Sequence, residues 1–340
     1  MKETAVVILN WNGKDFLEKF LPKVIACSPE ASIVVADNDS SDDSVSYVRN
    51  TFEEVIIVQN QKNGGFAKGY NDALKKVKAK FYLLLNSDVE VSEGWLQPLI
   101  SQMQDKQVAG CQPKVLAYDR NNYFEHAGAS GGYLDRNYFP FCRGRILKEY
   151  EIDKNQYDAT QEIFWSTGAC MMIRSELFHE VGGFDEDFFA HMEEIDLCWR
   201  IKRLGYSFMV VPESKVYHVG GGTLSYLSPQ KTYLNFRNSL YMIIKNHEGF
   251  LFTKLIYRMG LDGIAGSFFL IKGNPRHCWA VIKSHLTMYS NLQAMLKKRK
   301  AFQPEKSKFN RKGLYKGSIL WAFYFKGVKT FSKLNARLFY

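Results

Sequence analysis

The stretch Phe81-Tyr82-Leu83-Leu84-Leu85-Asn86-Ser87-Asp88 decides how this chain is read. Five apolar residues follow one another without interruption, and the run stops at three polar ones. A short unalternating run rich in aromatics reads as a strand covered on both faces, as in the middle of a parallel α/β sheet. In such sheets ligands collect just beyond the carboxyl ends of the strands. Asp88 stands there, placed to hold a divalent cation that carries a diphosphate. Magnesium takes one or two protein carboxylates and fills its shell with phosphate oxygen and water. The competing reading makes Asn86-Ser87-Asp88 a turn and helix cap ahead of a helix over residues 91–102.

Upstream, the apolar runs 5–9, 33–36 and 55–58 alternate with stretches of helical spacing, such as Phe16, Leu17, Phe20, Leu21 and Val24. Strands separated by helices of this length predict βαβ units and a parallel sheet. Each run ends in a polar cluster: Asn10-Trp11-Asn12-Gly13, Asp37-Asn38-Asp39, Asn63-Gly64-Gly65 and Asn86-Ser87-Asp88. Parallel strands bring all four to one sheet edge. No Gly-x-Gly-x-x-Gly follows the first run, so the common dinucleotide-binding turn is missing. Asp37 suits a hydrogen bond from a base imide, and Gly64 and Gly65 allow close backbone approach to a nucleotide. All of these also read as ordinary turn residues.

Downstream, a strand is expected over 108–116 and a long loop or small subsheet over 117–160. A further strand lies within 163–173, a short helix spans 175–181, and a strand covers 207–211. An amphipathic helix over 193–204 pairs Asp196 with Arg200 at i,i+4, a structural pairing. The domain division expected is 1–229, split at 105/106 into nucleotide and acceptor halves, followed by a helical basic region over 230–340.

The chain has 340 residues, 46% hydrophobic, and a net charge of +10. Residues 230–340 hold 21 Lys and Arg against 3 Asp and Glu, which leaves 24 against 32 in residues 1–229. This asymmetry predicts an anionic partner for the last third. Six scattered cysteines without metal-ligand spacing predict a reducing compartment. The first residues run straight into a strand, so no secretory signal is expected. No apolar run is long enough for a confident membrane span.

Four quoted motifs in order, Asn10-Trp11-Asn12, residues 37–42, Asn63-Gly64-Gly65-Phe66-Ala67-Lys68-Gly69-Tyr70-Asn71 and Leu85-Asn86-Ser87-Asp88, resemble the nucleotide-binding half of the family 2 inverting glycosyltransferases. Gly168-Ala169-Cys170, Gly182-Gly183-Phe184-Asp185-Glu186-Asp187 and residues 193–200 are similar to that family's acceptor half. The Asn-Gly-Gly-Phe-Ala form is most similar to the rhamnosyltransferase-like branch. The resemblance implies a GT-A fold: α/β, a Rossmann-like, mostly parallel central sheet flanked by helices, here with a helical basic C-terminal extension.

It also implies roles. Asn10, Asn12, Asp37, Asn38, Asn63, Gly64, Gly65, Asn71, Asn86 and Ser87 would contact a nucleotide-sugar donor. Asp88, with His218 near the diphosphate, would hold Mg²⁺ or Mn²⁺. Glu194 would be the general base, with Glu193, Gly168 and Trp165 on the acceptor side. Two departures stand out: the metal motif begins with Asn86 where the family often has Asp, and the usual Glu-Asp pair is Glu193-Glu194.

The chemistry is consistent with that placement. Displacing a nucleoside diphosphate requires an electrophile on the leaving group and a base for the acceptor hydroxyl. One base and one displacement invert the anomeric centre. Glu194 has a plainer reading, a first-turn acid on a helix dipole. Likewise His218 reads as an ordinary histidine before Gly220-Gly221-Gly222-Thr223. Trp165 and Trp11 could stack on a sugar or base, or belong to the core.

Aromatic, Lys-rich stretches at 250–271 and 317–338, with Lys297-Lys298-Arg299-Lys300, suit helices lying in an anionic membrane interface. The expected location is therefore cytoplasmic, peripheral on the inner face of the cytoplasmic membrane, with a lipid-linked glycan acceptor and no nucleic acid. Rival readings are a metal-dependent nucleotidyltransferase and a sugar-nucleotide-binding protein without activity.

Overall fold

The computed structural model describes residues 1–125, 128–220 and 228–340. The first half alternates as expected: β1 (Thr4–Asn10), α1 (Lys14–Ala26), β2 (Ala31–Asp37), α2 (Ser44–Thr51), β3 (Ile56–Gln59), α3 (Gly65–Leu74) and β4 (Phe81–Asn86). Next come β5 (Val89–Val91), α4 (Leu96–Gln102) and β6 (Val108–Ala117). Short strands β7 (Gly132–Asp135), β8 (Pro140–Cys142), β9 (Arg145–Ile146) and β10 (Glu149–Tyr150) precede β11 (Gln161–Ile163), β12 (Cys170–Arg174) and α5 (Ser175–Glu180). The chain continues through α6 (Glu193–Arg203), β13 (Ser207–His218), α7 (Pro229–Asn246), α8 (Leu251–Ile271), α9 (Pro275–Ser290) and α10 (Leu292–Ala301). It closes with β14 (Leu314–Tyr315) and α11 (Ile319–Tyr324).

The central sheet runs β11-β13-β6-β12-β4-β1-β2-β3, with β5 on β13. The pairs β3-β2-β1-β4 and β6-β13 are parallel, and antiparallel β12 joins the two groups between β4 and β6. Successive residues of each inner strand enter opposite cores. Tyr82 and Leu84 pack with Ala67, Tyr70 and Leu74 of α3, while Phe81, Leu83 and Leu85 pack with Leu17, Leu21 and Val24 of α1. Burial on both faces is why the run does not alternate. Truncating fully buried Leu84 to Ala is expected to cost about 2–5 kcal/mol.

Three sequence expectations change. Asn86-Ser87-Asp88 caps no helix: the chain turns there into β5, which pairs antiparallel with β13, and α4 starts only at Leu96. Residues 163–173 hold parts of two strands, because β11 and β12 pair with different partners.

In 317–338 only α11 is α-helical. Part of this segment is core: Phe323 and Leu334 are buried, and Phe331 packs on Tyr133 and Phe141 of a second, five-stranded sheet, β10-β9-β8-β7-β14, while Trp321, Tyr324 and Phe325 stay exposed. Within the run 297–300, Lys298 is paired with Asp185 and Asp187 and Arg299 donates to Ile244 O, so half of that charge is internal. All six cysteines are free.

Candidate active site

The parallel strands bring their polar ends to one edge, and there most of the sequence motifs turn out to bind one another. Asn10 is fully buried at the end of β1. Its Nδ2 donates to Asp37 Oδ1 at 3.3 Å, Ser40 Oγ at 3.2 Å and Ser44 Oγ at 2.9 Å. Asp37 Oδ2 accepts from Ser40 N, and Asn12 Oδ1 accepts from Ser41 N at 2.7 Å. Asn38 Nδ2 donates to Asn63 Oδ1 at 2.9 Å and to Gly65 O at 3.1 Å. Asn10 and Asn38, both expected to contact a donor, brace the edge through these bonds. Asn86 and Ser87 are half-buried at the end of β4, while Asn12 and Asn63 are exposed.

Asn71, also expected at the donor, bonds to the loop ahead of α6. Its amide donates to Phe184 O at 2.8 Å and accepts from Phe184 N at 2.9 Å, locking the loop after Gly183 onto α3. The close approach at Gly65 is made by the protein itself. Phe189 O accepts from Phe66 N and Ala67 N, and a Cβ on Gly65, where φ is +78°, would lie 2.6 Å from the Phe189 ring. The sequence motifs thus rivet the two halves together. Trp165 lies in the core, its indole N–H donated to Tyr133 O at 3.0 Å and its ring against Gly132. Trp11 is 47% exposed at this edge and so does not belong to the core.

Asp88 and His218 stand apart from this bracing. β5 and the end of β13 bring them together, with His218 Nε2 3.1 Å from Asp88 Oδ1. The other ring nitrogen, Nδ1, is 3.3 Å from Glu125 Oε2. All three are buried. Burial alone would raise Asp88, but the hydrogen bond and charge of His218 hold it below the usual carboxylate range. Burial likewise pulls His218 down, and Glu125 and Asp88 together push it up to about 10.

The donor set fits a divalent cation. The 3.1 Å separation is close to the roughly 3 Å between neighbouring ligands on an octahedral ion with bonds of about 2.1 Å. A carboxylate on the far nitrogen of a ligating imidazole is the usual supporting partner. Glu125 was not found from sequence; it lies in the irregular aromatic stretch, and its only signal was a lone acid after Tyr123-Phe124. Gly221, Gly222 and Thr223 lie outside the described residues.

The acidic pair opens α6. Phe189, His191 and Met192 all adopt positive φ (63°, 71° and 72°), uncommon for non-glycine residues and a mark of strain held for a purpose. The fully buried Asn238 of α7 holds that loop, its amide donating to Phe188 O, Ala190 O and His191 O at 2.7–2.9 Å. Glu193 Oε2 and Glu194 Oε2 are buried and have no hydrogen-bond partner among the described residues. Burial, then the charges of Glu194 and Asp196, raise Glu193 well above its ordinary value. Burial pushes Glu194 up to about 7 against the pull of backbone N–H groups in its own turn.

Gly168 connects the two centres. Its Cα faces Glu194, whose Cβ lies 3.9 Å from the place a Gly168 Cβ would occupy, and the adjacent Ala169 O accepts from Asn86 N at 3.0 Å. Asp196 and Arg200 pair at 2.8 Å as expected, within a larger network that includes Lys245 and Asn246.

Comparison with known proteins bears on this geometry. The chain is 24% identical over 230 residues to N-acetylglucosaminyl-diphospho-decaprenol L-rhamnosyltransferase of Mycobacterium tuberculosis, covering 63% of this chain and 75% of that protein. It is 22% identical over 222 residues to rhamnosyltransferase WbbL of Escherichia coli K12, covering 63% and 82%. Its fold matches mannosyltransferase PcManGT of Pyrobaculum calidifontis, solved with GDP-Man and Mn²⁺, at a TM-score of 0.52 and 13% identity over 90% of this chain and 81% of that one. The architecture is the GT-A fold expected from the motifs. The sequence profile described as "Glycosyl transferase family 2" matches residues 5–182, and with the two-centred site on that framework this glycosyltransferase chain belongs to family 2.

Proposed function

We propose that this protein is an inverting glycosyltransferase. It moves a hexose or deoxyhexose, with dTDP-rhamnose as the first candidate donor, onto a lipid-linked glycan. The observation that carries the reading is Glu194: a carboxyl in the first turn of α6, just after a strained loop, with a buried oxygen that has no hydrogen-bond partner among the described residues and a pKa raised to about 7 by burial. A general base works best when its pKa lies near the working pH. Burial and the charge of Glu194 raise Glu193 beside it as well.

Asp88 and His218 would hold the divalent cation, with Glu125 orienting the imidazole. The bound cation supplies Lewis-acid stabilisation of the departing diphosphate. Glu194 takes the proton of the acceptor hydroxyl, with Gly168 and the Phe66 ring packed beside it. With a single carboxylate base and no second nucleophilic acid assigned, the expected course is one displacement with inversion.

The chemistry of the acceptor is suggested by the M. tuberculosis relative, whose name specifies a diphospho-decaprenol sugar. Placement at the anionic inner face of the cytoplasmic membrane is supported by α8, which exposes Phe252, Ile256, Ile264, Phe268 and Ile271 in a strongly basic region. Among the described residues no helix is long and apolar enough to cross a membrane. The test is transfer by purified protein from dTDP-rhamnose, UDP-sugars and GDP-mannose to a polyprenyl-diphosphate-sugar with Mn²⁺, reading the product's anomeric configuration by NMR. A product with retained configuration would contradict the single-base mechanism.

A further inference from the structure

Helices α7 and α9 pack side by side in the same direction. Thr232 Oγ1 and His277 Nδ1 are 2.8 Å apart, and Tyr233 OH donates to Thr287 Oγ1 at 3.2 Å. Between their first turns lies an open groove of about 500 Å³. Pro229, Tyr233, Pro275 and Trp279 form its apolar wall, Arg276 and Lys283 supply positive charge, and no carboxylate lines it. The Lys283 ammonium sits 4.9 Å above the Tyr233 ring.

Trp279 is 59% exposed and begins an apolar stripe that continues through Ile282, Leu286 and Tyr289 along α9. A contiguous exposed apolar surface of this kind marks an interaction site.

An aromatic wall, two cations and an apolar track leading away match one ligand class, an amphiphile with a phosphate head and a hydrocarbon tail. A bilayer surface would need only the stripe; the groove adds a seat for a single head group. We propose that the α7–α9 groove binds the head of a polyprenyl diphosphate, with Arg276 and Lys283 on the phosphates, Trp279 on the first isoprene units, and the chain running along α9. The inference rests on the reading that the acceptor is lipid-linked. It assigns where that lipid is held.

The test is calorimetric titration of the full chain with farnesyl diphosphate in EDTA, so that no cation bridges the diphosphate to Asp88. Farnesol, inorganic diphosphate and phosphatidylglycerol vesicles are the control ligands. Farnesyl diphosphate is expected to bind at least tenfold more tightly than either half-probe. The double variant R276A/K283A is expected to lose about tenfold or more of that affinity, W279A to lose several-fold, and D88A to match the wild type. Thermal unfolding of each variant checks that the fold is intact, and nucleotide-sugar binding with Mn²⁺ should persist in R276A/K283A and W279A.

Farnesyl diphosphate affinity unchanged in folded groove variants, or lost in D88A, would overturn the assignment. So would vesicle binding with the same dependence on Arg276 and Lys283, which would give the groove to bulk anionic lipid. Loss of donor binding in D88A bears only on the transferase reading, so the two ideas fail separately.

Discussion

Asp88 and His218 meet at 3.1 Å across 130 residues of sequence, because β5 turns back from the end of β4 and pairs with the last residues of β13. That return of the chain places the carboxylate beside the imidazole, the pair proposed to hold the cation. Replacing Asp88 with Ala is therefore expected to abolish metal-dependent donor binding, measured by titrating the nucleotide sugar with and without Mn²⁺. Glu125→Gln leaves both ligands in place but weakens the support of the imidazole. Mn²⁺ affinity, followed by electron paramagnetic resonance of free ion, should fall about 10–100-fold. Donor binding that is indifferent to EDTA would remove the metal from the account.

Asn238 touches neither centre, yet it holds the strained loop that delivers Glu193 and Glu194. Asn238→Ala should lower kcat by at least tenfold while the donor Kd stays near that of the wild type. Equal kcat would mean that the loop needs no external tie.

Burial raises Glu194 to about 7, so it is a competent base only above that value. Transfer, measured as kcat/KM, should fall tenfold per unit of pH below about 7 and level off above it. An acid limb at the ordinary carboxylate range, near 4, would show that Glu194 is solvated and plays the plainer helix-dipole role.

Lys245 is buried between Asp185 and Asp196, 2.7 Å from each. Burial would raise both acids, but Lys245 leads the charges that hold them below the ordinary range. Because their folded pKa values are depressed, their stabilising contribution is present above the usual carboxylate range and is lost as pH falls through it. Lys245→Met leaves two buried carboxylates under-compensated and should cost about 3–5 kcal/mol in denaturant unfolding at pH 7. The deficit should shrink toward pH 3.

The parallel half of the sheet was legible from residues 5–9, 33–36, 55–58 and 81–85, since burial on both faces leaves apolar runs that helices cannot imitate at that length. The motifs marked the edge where the parallel strands end, but not the bonds their residues make to one another there. Asn10, Asn38 and Asn71 read as ligand contacts in sequence, and an amide that braces a loop is chemically the same as one that binds a nucleotide, so the bracing could not be read from the residue types. Glu125 was invisible because its function depends on one imidazole 93 positions away. The 317–338 stretch misled because alternating aromatic and Lys residues describe both an interfacial helix and an irregular segment packed on a small sheet. The expected domain division at 229/230 follows sequence properties, and contacts cross it: β14 pairs with β7, and Asn238 braces the loop ahead of α6.

The account stands or falls on Glu194 as the base opposite a cation held by Asp88 and His218. The direct measurement is single-turnover transfer by Glu194→Gln, an isosteric change that removes the proton acceptor, run beside titration of donor and Mn²⁺. The expected result is wild-type affinity for both ligands with transfer reduced by at least about a thousandfold. Full turnover by the Gln variant would contradict it.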